Sequence, residues 1–134
     1  VVDIIADHGH PLPERAHQVD RFKIPMLWLG GALTKKGVEI SSVGSQTDLP
    51  ATLLNQLGLG SQSFNWSRNM LSNKYNPCAY FSFNNGFGYT RGSEYYIFDN
   101  TVKNPIEQSG NINIPFLEAG KAIQQRSFGD YLSK

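Results

Sequence analysis

Apolar residues fall in blocks along this chain. Val1-Val2-Asp3-Ile4-Ile5-Ala6 is a short run that stops at Asp7-His8-Gly9, and Ile24-Pro25-Met26-Leu27-Trp28-Leu29 is a second run closed by Gly30-Gly31. Their length and β-branching predict strands rather than helices. Near-continuous apolarity predicts burial on both faces, as in a parallel sheet, and Pro25 is tolerated only near the beginning of its strand. The segment between them, residues 10–23, is polar, carries Pro11 and Pro13, and predicts an exposed loop. The pattern then changes. "SQTDLPATLLNQLG", residues 45–58, places Leu49, Leu53, Leu54 and Leu57 on one helical face. Ser45 or Thr47 can cap that helix, Asp48 suits its first turn, Pro50 fits only there, and Gly58 is a natural stop.

Residues 78–100, "CAYFSFNNGFGYTRGSEYYIFDN", are aromatic-rich and interrupted at Asn84-Asn85-Gly86 and Arg91-Gly92. Those are hairpin signals, and they predict an antiparallel meander of two or three strands. Tyr80, Phe81, Phe83, Phe87, Tyr89, Tyr95, Tyr96 and Phe98 are read as the core of that small sheet. Helical spacing returns over residues 116–132, where Phe116, Gly120, Ile123, Ser127 and Tyr131 share a stripe. The expected fold is mixed α/β. Residues 1–6 and 24–29 form neighbouring strands, the helix at about 46–57 packs on a face, and a small antiparallel sheet and a closing helix follow.

Composition narrows the function. The 134 residues are 40% hydrophobic and 17% charged, a globular balance. A net charge of +1 gives no footprint for a nucleic-acid partner. No apolar run approaches a membrane span, and none of these 134 residues reads as a signal peptide. The single cysteine, Cys78, excludes an internal disulfide and reads as a small core residue. Opening directly on a strand, the chain is expected to be a piece of a longer protein. Its apolar strands would then show bare faces and edges, and the piece is expected to associate with a copy of itself.

All three histidines, His8, His10 and His17, lie within one short stretch just past the first strand. The carboxyl end of a buried strand is where α/β proteins place ligands and catalysts. Aspartate and neutral histidine are both good ligands for zinc or manganese, and Gly9 permits the turn that would let Asp7 and His8 meet one ion. The plainer alternative is that these side chains only form hydrogen bonds at the surface, with His10 a simple loop residue. Gly86, Gly88 and Gly92 lack dinucleotide spacing and fall among hairpins. Asn65-Trp66-Ser67 has the form of a glycosylation acceptor, but reads better as a helix cap.

Taken together, "IIADHGH", a polar loop with a histidine, "KIPMLWLGG" and "SSVGSQTDLPATLLNQLGL" resemble the C-terminal part of the sulfatase and alkaline phosphatase superfamily. The likeness is nearest to its bacterial branch of lipoteichoic acid synthases, phosphoglycerol transferases and phosphoethanolamine transferases. The motifs span residues 1–60, with Ala51 between Pro50 and Thr52 as a departure, and residues 61–134 match only loosely. The resemblance implies an α/β/α sandwich with a small antiparallel sheet and closing helix. Residues 1–60 would be the C-terminal portion of a metal-binding core. It implies Asp7 and His8 as ligands of a divalent metal, zinc or manganese first, with calcium or magnesium as alternatives.

By the same likeness His17 would serve a second metal or the substrate, although it lies nearer to the pair than in the family, and His10 stands where many relatives have glutamate. The implied substrate is a phosphate or sulfate ester, lipid- or glycan-linked. The nucleophile would lie upstream, leaving this piece inactive alone. The implied parent is anchored in the inner membrane by an N-terminal segment, with its catalytic domain in the periplasm or outside the cell. No Cys/Ser-x-Pro-x-Arg surrounds Cys78, and residues 9–23 hold no tryptophan, so the formylglycine sulfatases fit less well. A non-catalytic or degenerate sulfatase-like domain that binds glycans or partners is the alternative.

Overall fold

In the computed structural model, all residues except Pro11, Glu14, Arg15 and Thr34 are described. The chain divides into two compact units, Val1–Ser41 and Ser42–Lys134.

In the first unit, β1 (Val2–Ile5) pairs with β2 (Met26–Leu29), with Val2 opposite Leu29 and Ile5 opposite Met26. The two predicted strands are therefore neighbours, but they run antiparallel, which corrects the parallel sheet expected from their apolarity. They are not buried on both faces either. Val2, Ile4, Leu27 and Leu29 share one face of the ribbon and are 45–58% exposed. Between the strands a 3-10 turn, Gln18–Phe22, is held by buried Val19, where the sequence predicts only loop.

The second unit is built on a four-stranded antiparallel meander: β3 (Ala79–Phe83), β4 (Gly86–Arg91), β5 (Glu94–Asp99) and β6 (Asn104–Ser109). Asn84-Asn85 and Gly92-Ser93 make the two short turns, and Gly92 adopts a left-handed φ of 62°. The third turn is tied by Asp99, whose Oδ1 accepts from Thr101 and Val102 N–H at 2.7 and 2.9 Å. Those bonds hold its carboxyl below the usual range.

Phe87, Tyr89, Tyr96 and Phe98 form the buried face of this sheet, with Phe116 of α2 (Ile114–Leu132) against them. Helix α2 begins at Asn113, whose side chain accepts from Phe116 N–H at 3.0 Å. The predicted stripe is visible in its burial: Phe116 and Gly120 are buried and Ile123 and Ser127 half-buried, while Tyr131 at the far end is exposed. Gly120 is needed for close approach, since a Cβ there would meet the Tyr96 hydroxyl oxygen at 2.0 Å. That hydroxyl donates to the Leu117 carbonyl at 2.8 Å, and burial pushes its pKa up.

On the other face, Phe81 pairs with Gly88 and Phe83 with Gly86. A Cβ on Gly88 would sit 1.9 Å from the Phe81 ring, and one on Gly86 would sit 2.0 Å from the Phe98 carbonyl oxygen and 2.7 Å from the Phe83 ring. The glycines leave room for the rings of the neighbouring strand. Gly88→Ala is expected to cost about 1–3 kcal/mol in urea unfolding, as overpacking does. In a Phe81→Ala background the same change should cost much less. An equal cost in both would show that the ring is not what excludes the methyl.

Helix α1 (Leu49–Gln56) follows a 3-10 turn, Gln46–Asp48, close to the predicted limits. Gly58 ends it with φ of 70°, and Leu59 N–H returns to the Leu54 carbonyl at 2.9 Å. Of the predicted leucine face, Leu49, Leu53 and Leu54 are half-buried, but the fully buried residues lie beside it. Ala51 and Thr52 are buried, whereas Leu57 is exposed. Hydrogen bonding sets this orientation. Thr52 Oγ1 donates to the Asp48 carbonyl at 2.7 Å and accepts from Met70 N–H at 2.9 Å. Ser67 Oγ accepts from Ala51 N–H at 2.8 Å. Asn65 caps no helix. It lies in a turn, and Ser67 beside it serves α1 from outside.

Candidate functional site

Strand β1 stops pairing at Ile5, and two residues later the chain presents Asp7 and His8. Both side chains are exposed, Asp7 to 90% and His8 to 76%. Asp7 Oδ1 accepts from His8 N–H at 3.0 Å and lies 3.7 Å from His8 Nε2. The other ring nitrogen, Nδ1, is 2.7 Å from the Gly9 carbonyl oxygen. A carbonyl can only accept, so Nδ1 is the donor in this contact, and in the neutral tautomer that leaves the lone pair on Nε2. Two donors on one tetrahedral zinc are separated by about 3.4 Å. Asp7 and His8 therefore fit as a pair of ligands with little rearrangement.

His10 turns to its own loop, with Nδ1 3.0 Å from both Leu12 N and the Leu12 carbonyl oxygen. His17 precedes the turn Gln18–Phe22, and its carbonyl accepts from Asp20 N–H at 3.1 Å. Among the described residues no group of three or more His, Cys, Asp or Glu could hold a metal ion, so neither histidine joins Asp7 and His8 as a third ligand here. Gly9 differs in role from its expectation. Its φ lies outside the left-handed region, and its lack of a side chain answers to a close approach by the backbone of Arg21.

The second unit holds a polar centre that no motif announces. Asp48 has no exposed surface, yet its carboxylate is fully engaged. Oδ1 accepts from Arg68 N–H and Nε at 3.0 Å each, and Oδ2 from Arg68 Nη2 at 2.6 Å, Ser45 N–H at 3.1 Å and the Tyr75 hydroxyl at 3.2 Å. Arg68 also donates to Cys78, from Nη1 to Sγ at 2.7 Å and from Nη2 to the carbonyl at 3.0 Å. Burial opposes the guanidinium's charge, but Asp48 and Cys78 outweigh it and raise its pKa. Burial, and then the Asp48 charge, raise the pKa of Tyr75. Tyr89 is pushed up to about 12, first by burial and then by its hydrogen bond to Cys78. Asp48 is legible as a first-turn carboxylate, but its partner twenty residues away is not. Cys78 is half-buried and packs against the aromatic core, as expected of it.

Every polar group around Asp48 has a partner within the centre, and the arrangement leaves no bare nucleophile. Chemically it is a clamp joining α1 to the start of β3. The Asp7-His8 pair differs in being exposed. Among the described residues no helix is long and apolar enough to cross a membrane. No protein-family model, no curated protein and no solved structure matches the chain.

Proposed function

We propose that this chain supplies the Asp-His ligand pair of a metal-dependent enzyme of sulfatase type, acting on phosphate or sulfate esters. The observation that carries the proposal is the pairing of Asp7 Oδ1 with His8 Nε2 at 3.7 Å, with Nδ1 tied to the Gly9 carbonyl. Asp7 and His8 would hold a divalent ion, zinc or manganese. Such an ion neutralises charge on the ester oxygens and lowers the pKa of a bound nucleophile. The chain's own part is to present two ligands in fixed relation. The Asp7 carboxylate is oriented by the His8 N–H, and the imidazole by the Gly9 carbonyl. In this reading the nucleophile and the remaining ligands are outside these 134 residues.

The test uses an enzyme that contains this chain together with its nucleophile. Asp7→Ala and His8→Ala should each lower phosphate- or sulfate-ester cleavage at least a thousandfold, while leaving circular dichroism and thermal unfolding unchanged. The estimate follows from the several kcal/mol that a metal contributes to transition-state stabilisation. Near-normal turnover in either variant would sink the proposal and favour a non-catalytic role.

A further inference from the structure

The geometry points to Gly9 as a positioning residue that holds His8 in its metal-binding tautomer, through its seat on the backbone of the turn Gln18–Phe22. This rests on Asp7 and His8 being the metal pair. A Cβ on Gly9 would lie 1.6 Å from the Arg21 carbonyl oxygen, 2.7 Å from the Arg21 carbonyl carbon and 3.3 Å from Phe22 Cα. All three are main-chain atoms, so no side chain can swing aside to make room. The turn that provides the seat is itself anchored. Val19 is buried, Asp20 N–H donates to the His17 carbonyl at 3.1 Å, and Lys23 Nζ pairs with Asp20 Oδ1 at 2.6 Å.

The seat fixes where the Gly9 carbonyl points, and that carbonyl is the acceptor for His8 Nδ1–H. Any side chain at position 9 must lift the loop off Arg21 and carry the carbonyl with it. His8 would then lose the bond that keeps Nε2 unprotonated and turned toward Asp7. Partners that orient a ligand in this way change metal affinity by about 10–100-fold when removed.

The experiment takes the 134-residue chain, labelled with nitrogen-15, and reads the ring nitrogens of the histidines by long-range proton–nitrogen NMR without added metal. In the wild type, the neutral His8 ring is expected to carry its proton on Nδ1. Gly9→Ala should move that proton wholly or partly to Nε2, while the His10 ring and the amides of β3–β6 stay unchanged. Arg21→Ala, which keeps the backbone seat, should leave His8 as in the wild type. Zinc chloride titrated into the same samples should bind about tenfold more weakly to Gly9→Ala. A wild-type His8 ring protonated on Nε2 would overturn the positioning role whatever zinc does, even where Gly9→Ala fails to fold. So would a His8 tautomer unaltered in a folded Gly9→Ala chain. An Nδ1-protonated His8 ring that zinc leaves unmoved in an enzyme containing this chain together with its remaining ligands would instead overturn the metal assignment of the pair.

Discussion

Arg68→Met is expected to lower the stability of the second unit by about 3 kcal/mol, read as a shift in the urea unfolding midpoint. The substitution keeps much of the side chain's volume and removes its charge. Asp48 would stay fully buried with three hydrogen bonds, from Arg68 N–H, Ser45 N–H and the Tyr75 hydroxyl, but with no counter-ion. Breaking a buried pair from one side costs about 3–5 kcal/mol. The lower end applies because the Arg68 side chain is 41% exposed, so water already screens part of the interaction. Arg68→Lys should fall in between, since it restores the charge without the fork that spans both carboxylate oxygens and Cys78. A loss below about 1 kcal/mol in Arg68→Met would class the pair with ordinary surface ion pairs and make the clamp a consequence of the fold rather than a cause.

Phe87→Ala should be the most damaging single truncation, at about 3–5 kcal/mol by the same measurement. Phe87 has no exposed surface. Its ring stacks on Tyr80 and Phe98, with centroids 5.5 and 5.4 Å away, and meets Tyr96 edge-on at 5.8 Å. Removing it leaves a cavity walled by aromatic rings that cannot close without moving β5, which β6 and α2 hold on either side. Phe87→Leu fills most of that volume and should recover more than half of the loss. Equal losses for leucine and alanine would show that ring-to-ring geometry, rather than filled volume, carries the stabilisation.

Much of the fold was readable because turn chemistry and periodicity act locally. Asn84-Asn85-Gly86 and Arg91-Gly92 mark the hairpins whatever surrounds them, and the 116–132 stripe follows from helical spacing alone. Strand β6 was not readable. Asn104-Pro105-Ile106-Glu107-Gln108-Ser109 has little apolar content, and it forms because an edge strand needs only a partner's backbone. The fully buried side of α1 is hidden from the sequence for a related reason. Its leucines set a hydrophobic face, but Thr52 and Asp48 have distant partners at Met70 and Arg68, and long-range hydrogen bonds leave no periodic trace. For the candidate site, the position of Asp7 and His8 at a strand's end was legible in sequence. The seat of Gly9 on Arg21 was not, because only the fold brings those backbones together.

The alternation Phe-x-Phe in β3 against Gly-x-Gly in β4 bears on how this sheet can change over time. Each ring and the empty space across from it form one unit shared between two strands. A side chain gained at position 88 is compatible with the sheet only where position 81 has already lost its ring, whereas at position 86 the Phe98 carbonyl oxygen, 2.0 Å from an added Cβ, bars one even where the Phe83 ring is gone. Descendants of this sequence should therefore exchange residues 81 and 88 as a pair, with the smaller residue arising at position 81 first, and should keep glycine at 86. The same pairing penalises a hairpin that zips one residue out of step, because its rings would meet Phe87 or Tyr89 instead of glycine.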